Sequence, residues 1–294
     1  MLHAKARWDV EPVDEDLSEA MSKELDIHPI ISKMLIRRGV KEIPEARRFL
    51  NPSLADLNDP YLLDGMETAV QRIRQALRDH EPILVYGDYD VDGVSSTCLM
   101  LKTLRRLGAT VDYYIPHRFR EGYGINQEAL KQAKERGFRL ILSVDTGIAA
   151  VKEAAYAKEL GLDLIITDHH EPQETLPDAL AVINPKKPGC PYPFKMLAGV
   201  GVAFKLATAL LQEVPEAWMD IAALGTIADL VPLVEENRIL ACYGLKKMSQ
   251  TVHVGLKALI QACDIDHDVS ASHVGFLLGP RINACGRLDT ADTA

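Results

Sequence analysis

The stretch YGDYDVDG, Tyr86 to Gly93, sets aspartates at positions 88, 90 and 92, three negative charges within five residues. It follows the apolar run PILVY (82–86) and precedes a stretch of helical pattern over 93–107, so the acidic loop falls where a strand hands over to a helix. Nothing in the neighbouring sequence neutralises those charges. They call for a cation.

The same rhythm repeats downstream. Short apolar runs at TVDYYI (110–115), RLILSV (139–144), LDLIIT (162–167) and LAVI (180–183) alternate with amphipathic stretches at 126–136 and 148–160. That alternation predicts an α/β fold, a parallel β-sheet flanked by helices. Each predicted strand ends in polar residues: GDYDVD, PHRFR, DTG, DHH and NPKK in turn. The carboxyl ends of parallel strands line the ligand crevice of such a sheet, so five separate segments are expected to serve one site.

Before this region, residues 1–80 read as a helical N-terminal cap, with DLSEAMSKEL, HPIISKMLIRRGV, PEARRFL and METAVQRIRQALRDH at helical spacing. After it, LAGVGVAFKLATALLQ, WMDIAALGTIADLVPL, ENRILACYGLKKM and VGLKALIQA predict a helical C-terminal segment. The expected division is a cap over 1–80, the α/β domain over 81–235, and a connector over 236–294 that opens a second domain. The ending PRINACGRLDTADTA reads as a tail with no closing element, as in a fragment.

Composition bounds the function. The chain has 294 residues, 47% hydrophobic and 26% charged, enough for a sizeable core. No apolar run reaches the ~18 residues of a membrane span, and MLHAKARWDV lacks a secretory apolar region, so a cytoplasmic, membrane-free protein is expected. The five cysteines, never spaced as C-x-x-C, argue against a disulfide framework or a thiolate zinc site. A net charge of -9 weighs against a polyanionic partner, but carboxylates gathered around metals are offset locally by those metals.

DYDVDG opens like an EF-hand loop, yet its twelfth position is Leu99 instead of a bidentate Glu, and a β-like run precedes it. DVDGV also suits the nucleophile strand of a haloacid-dehalogenase-like phosphatase, a reading that leaves DHH without a purpose. A plain acidic surface loop is the bland alternative. Asp145 in SVDTG and Asp168, His169 and His170 in TDHH each close a predicted strand; any one of them alone is an ordinary turn or cap residue. Together they make a carboxylate and imidazole set suited to Mn²⁺ or Mg²⁺, with imidazole favouring Mn²⁺. Asp229, in the otherwise apolar IAALGTIADLVPLV, is either a solvated helix end or a buried carboxylate that needs a metal. Two metals sharing a carboxylate suit phosphate-ester hydrolysis. His117, Arg118 and Arg120, and Arg281, Asn283 and Arg287 in PRINACGR, could bind phosphate or be solvated surface groups. AGVGVAFK (198–205) fits either a phosphate-facing helix start or close helix packing.

The ordered set GDYDVDGVSS, VDTG, TDHH, GTIADLVPL and RINACGR resembles the DHH phosphoesterase superfamily, and within it a branch of bacterial single-stranded-DNA-specific 5′-to-3′ exonucleases. The resemblance covers nearly the whole chain. It implies two Mn²⁺ or Mg²⁺ ions held by Asp90, Asp92, His169 and Asp229, with Asp145 as the bridge and Asp88 as a further ligand. It places His170 against the scissile phosphate, with Asp168 and Asp88 beside it in the catalytic set. Arg287, Asn283 and Arg281 would hold substrate phosphate, and Arg118 would meet the 5′ end. The manganese pyrophosphatase branch carries a metal-binding His where this chain has Tyr86, a departure that weakens one metal. The implied partners are single-stranded DNA, a helicase and a single-strand-binding protein, and the chain is expected to be a monomer. The alternative within the superfamily is a phosphoesterase of oligoribonucleotides or cyclic dinucleotides.

Overall fold

The structure, a computed structural model, describes residues 12–118 and 121–288, with the backbone alone at Arg287 and Leu288. The chain forms two compact units, Met1–Ser53 and Leu54–Ala294. In the first, α1 (Glu15–Leu25), α2 (Pro29–Arg37) and α3 (Ile43–Leu50) enclose a small core of Met21, Leu35, Ile36, Val40 and Ala46. Asp14 caps α1 by accepting from the Leu17 N–H at 3.0 Å, and Pro29 starts α2 where no N–H is needed.

The second unit is built on five parallel strands. They are β1 (Ile83–Tyr86), β2 (Val111–Tyr114), β3 (Leu140–Val144), β4 (Asp163–Thr167) and β5 (Ala181–Ile183). The expected runs are thus strands, each trimmed by a residue or two. Helices α5 (Val91–Arg106), α6 (Gln127–Glu135) and α7 (Val151–Glu159) make the crossovers. Strand residues alternate between two cores, as a period of two requires. Ile83, Val85, Leu140 and Leu142 face α4 (Met66–Arg78), α5 and α8 (Gly199–Leu211). Leu84, Tyr86, Ile141 and Leu164 face α6 and α7. With both faces covered, the inner strands β1 and β3 are buried throughout, whereas the edge strand β2, with Asp112, is only half-buried.

The expected cap over residues 1–80 meets a different division. The first unit stops at Ser53, while α4 buries Met66, Ala69, Val70, Ile73 and Ala76 in the core that covers the sheet. An amphipathic stripe shows that a helix packs, not what it packs on.

The strand order is β2-β1-β3-β4-β5. The chain leaves β1 toward one edge and returns to place β3 on β1's other side, so the crossovers diverge between β1 and β3 and open a crevice at their carboxyl ends. That crevice lies between the GDYDVDG loop and Asp145.

Beyond the sheet, α9 (Met219–Ala228), α10 (Glu235–Met248) and α11 (Val254–Ala262) form a third core with the segment that follows. That segment corrects the expectation of a tail. Residues 271–288 are helical throughout: α12 (Ala271–His273), a π-turn over Val274–Leu278, and α13 (Gly279–Leu288). Val274, Leu278 and Ile282 are buried in the third core. The wider π-turn lies just upstream of Pro280, whose missing N–H disrupts α-helical register.

Candidate metal centre

The acidic loop turns tightly onto α5. A Cβ on Gly87 would lie 2.0 Å from Thr97 Oγ1, and one on Gly93 would lie 2.5 Å from Asp88 Cβ, so only glycine fits either position. Asp90 is the N-cap of α5, its Oδ1 accepting from the Gly93 N–H at 3.0 Å. Asp92, in the first turn, reaches across to α8, where its oxygens accept from the Gly199 N–H at 2.7 Å and the Val200 N–H at 2.8 Å. The start of α8 therefore holds a protein carboxylate, besides packing as expected. A Cβ on Gly199 would lie 2.2 Å from Asp145 Oδ1.

Asp145 follows β3 with φ of 59°, a left-handed conformation that costs a non-glycine residue about 1–3 kcal/mol but which Asp tolerates better than most. The kink carries its carboxylate into the crevice. Asp168, His169 and His170 follow β4, and Asp229 is the C-cap of α9. Asp229 is only partly buried, and the next residue, Leu230, is 84% exposed. Both readings of Asp229 meet here: it stands at a helix end, as a cap would, and its side chain is still mostly buried.

These segments converge. His169 Nε2 lies 3.2 Å from Asp145 Oδ1, 3.7 Å from Asp229 Oδ2 and 3.8 Å from Asp92 Oδ2. Three sets have ligand atoms all within 4.8 Å of one another: Asp92, His169 and Asp229; Asp88, Asp90 and Asp145; and Asp145, His169 and His170. His169 Nε2, Asp145 Oδ1 and Asp88 Oδ1 are buried without a hydrogen-bond partner, and leaving such groups unpaired costs about 1–3 kcal/mol each. Burial, then Asp90, pushes the carboxyls of Asp88 and Asp92 up to about 7. Burial, then Asp92, does the same for Asp229 and lifts Asp145 well above the usual range. Burial lowers His169, which favours the neutral imidazole that ligates metals. The donor set fits divalent cations, which would satisfy the unpaired atoms and remove the repulsion.

Asp168 stands apart from these sets. Its Oδ1 accepts from the N–H groups of His169 and His170 and lies 2.7 Å from His170 Nδ1, while Oδ2 accepts from the Ile148 N–H at 2.8 Å. Burial would raise its pKa, but His170 and the backbone donors hold it below the usual carboxylate range. In return, the Asp168 bond raises His170. Asn184, just past β5, donates to the His170 carbonyl at 2.9 Å.

A cleft of ≈ 210 Å³ opens beside the carboxylates, lined by Asp88, Tyr89, Asp90, Arg118, Tyr123 and Asn283. The Arg118 guanidinium lies over the Tyr89 ring at 5.1 Å, and Tyr123 meets Tyr89 and His170 edge-on. Asn283 on α13 accepts the Val91 N–H at 3.1 Å, tying that helix to the loop. Arg281 points elsewhere, donating to the Leu277 carbonyl and lining a separate groove beside α11. Arg120 and the Arg287 side chain lie outside the described residues. Tyr86 is fully buried, its hydroxyl donating to the Gly124 carbonyl at 3.0 Å and accepting from Asn126.

Sequence reasoning passed over Tyr89, Tyr123, Gly199 and Asn184. The signal for Tyr123 was its place between Gly122 and Gly124, two left-handed glycines that project an aromatic ring. Asn184 was visible only as a polar residue after the fifth strand.

Comparison with known proteins gives a consistent result. Residues 82–226 match the DHH family, N-terminal domain. The single-stranded-DNA-specific exonuclease RecJ of Bacillus subtilis is 54% identical over 100% of this chain, which spans 38% of that relative. The crystal structure of RecJ in complex with Mn²⁺ from Thermus thermophilus superposes with a TM-score of 0.82 at 33% identity, covering 96% of this chain and 41% of that one. A crystal structure of exonuclease RecJ bound to manganese gives 0.74 at 38% identity, covering 82% of this chain and 61% of that one. The chain spans half or less of the length of the curated relatives it matches.

Proposed function

This chain belongs to the DHH family through residues 82–226, and from that membership we propose that it is the catalytic core of a divalent-metal-dependent exonuclease acting 5′-to-3′ on single-stranded DNA. The observation that carries the reading is the approach of His169 Nε2 to Asp145 Oδ1, two buried atoms left without hydrogen bonds. Asp92, His169 and Asp229 would hold one ion and Asp88, Asp90 and Asp145 a second, with Asp145 also beside His169 of the first set. Mn²⁺ and Mg²⁺, the ions bound to related structures, are the expected pair types. Such a pair supplies Lewis acidity that activates water at neutral pH and clamps the attacking and leaving oxygens.

The chain's own groups do the rest. Asp168 orients His170 and favours its protonated form, so His170 is the proton donor to the leaving oxygen. Asp168 acts through His170 as a positioning residue. Arg118 meets the 5′ phosphate, and the Asn283 amide nitrogen, in the same cleft, holds phosphate beside it. A role in DNA repair and recombination, with a helicase and a single-strand-binding protein as partners in the cytoplasm, completes the reading. No helix among the described residues is long and apolar enough to cross a membrane.

The test is incubation of the chain with 5′-labelled single-stranded and duplex DNA in Mn²⁺. Mononucleotides released from single strands alone are expected; equal release from both overturns the strand preference.

A further inference from the structure

Of the five strand ends, NPKK after β5 is the one that, among the described residues, supplies no group to the metal sets or to the phosphate cleft. Its two lysines part company. Lys187 turns back on the fold, its ammonium donating to the Val182 carbonyl at 2.7 Å and pairing with Asp64 at 2.6 Å. Lys186 turns toward the DHH segment. Its ammonium lies 3.1 Å from Oε1 of Glu171, the residue that follows His170.

A turn of fixed geometry puts it there. Asn184 is fully buried; its Oδ1 accepts the Lys186 N–H at 2.8 Å, its carbonyl accepts the Lys187 N–H at 3.1 Å, and Pro185 between them locks φ. The Asn184 amide donates in turn to the His170 carbonyl at 2.9 Å. One buried side chain thus holds Lys186 in register with the loop that carries His169 and His170. Burial lowers the His169 pKa and the Lys186 charge adds to that effect, so the ammonium is felt at the metal centre.

The two partners differ in exposure: the Lys186 side chain is 21% exposed and that of Glu171 81%. An ion pair with one member open to water holds weakly, and a phosphodiester oxygen offers the same ammonium an equivalent charge. Position favours such an exchange. Arg118 follows β2 at one edge of the sheet and Lys186 follows β5 at the other, with the metal-ligand segments of β1, β3 and β4 between them.

We propose that Lys186 exchanges Glu171 for a backbone phosphate of the substrate on the retained side of the scissile bond, so that the Glu171–Lys186 pair is a latch opened by the strand itself. The inference rests on the exonuclease reading given above, in which Arg118 meets the 5′ phosphate at the opposite edge.

The test measures kcat and KM of the 294-residue chain on a 5′-phosphorylated single-stranded oligonucleotide in Mn²⁺, with Mn²⁺ affinity followed by calorimetry. Lys186→Gln should raise KM about 3- to 10-fold at low salt, the size of one charge-assisted contact. It should also flatten the dependence of log KM on log salt by about 0.7, the share of one phosphate on a single strand. Lys186→Arg keeps the charge and should stay within about twofold of wild type. Glu171→Gln should lower KM about 2- to 3-fold by freeing the ammonium, and in the Lys186→Gln background should change it by less than about twofold. Values of kcat and Mn²⁺ affinity should hold within about twofold throughout.

Opposite signs from the two single variants are what a purely structural pair does not give, because breaking it from either side has the same effect. KM changes of one sign in both, an unmoved salt slope in Lys186→Gln, or a Glu171→Gln gain that survives without Lys186 overturns the latch. A wild-type chain that degrades single strands while Lys186→Gln is indifferent removes this inference alone; one that degrades none removes the parent reading and the latch with it.

Discussion

His169 Nε2 lies 3.2 Å from Asp145 Oδ1, and neither atom takes part in a hydrogen bond. One belongs to the loop after β4 and the other to a left-handed residue following β3, so two adjacent strands aim lone pairs at a common point. A protein gains nothing from that arrangement unless a cation joins them. Asp145→Asn should therefore abolish binding of at least one ion and lower hydrolysis by more than about 10³-fold, while raising the melting temperature of the metal-free protein by several degrees. Melting in a chelator, with and without the substitution, checks the second half; a fall instead of a rise contradicts it.

Stability of the metal-free protein should depend on pH in an unusual direction. Asp88, Asp92 and Asp229 are pushed up to about 7 by burial and neighbouring carboxylates, against about 3.9 in the unfolded chain. The folded state thus binds protons more tightly, and the stability this confers is complete below the unfolded value and lost as pH rises toward 7. Melting in a chelator should fall by about 5 °C or more from pH 5 to pH 8, and Mn²⁺ should restore most at pH 8. A chelated protein that melts higher at pH 8 contradicts the acidic cluster as described.

Asp168→Asn should separate positioning from ligation. The carboxylate accepts from three backbone N–H groups as well as from His170, and an amide must turn its NH₂ toward at least one of those donors. The expected cost is about 1–3 kcal/mol of stability. Loss of His170 orientation should lower kcat about 10²-fold or more and flatten the alkaline limb of the pH profile, with KM and Mn²⁺ affinity little changed. A lost metal would show Asp168 to be a ligand.

Gly199→Ala should act on metal affinity through sterics alone. The three atoms nearest the new Cβ all belong to the Asp145 side chain, Oδ1 at 2.2 Å. Displacing that carboxylate should weaken Mn²⁺ at least about 10-fold, the scale of a disturbed ligand-orienting contact. Gly201→Ala, where a Cβ meets Leu197 at 3.1 Å, is the control. Equal effects at both positions would point to general disruption of α8.

The sheet and the convergence of the acidic and DHH segments were legible because each signal was local: an apolar run followed by an acid or DHH marks a strand end, and strand ends of one parallel sheet share a rim. What escaped was tertiary. The helical pattern of 66–78 does not say that α4 belongs with the sheet, and PRINACGR hides a helix because Pro280 and Gly286 break the usual propensity. Gly286 packs on the Tyr89 carbonyl, 2.6 Å from where a Cβ would sit, a contact that no spacing rule reveals. The family resemblance set Asp168 beside His170 and apart from the expected ligands; the physical reason, its hydrogen bonds to His170 and three backbone N–H groups, is not legible in the sequence.

Anomalous diffraction at the manganese edge, from crystals grown with Mn²⁺, puts the account to its most direct test. Two peaks about 3.5–4 Å apart are expected, one enclosed by Asp92, His169 and Asp229 and the other by Asp88 and Asp90, with Asp145 touching both. No peak in the crevice, or a single ion that leaves Asp145 and His169 without a shared neighbour, would contradict it.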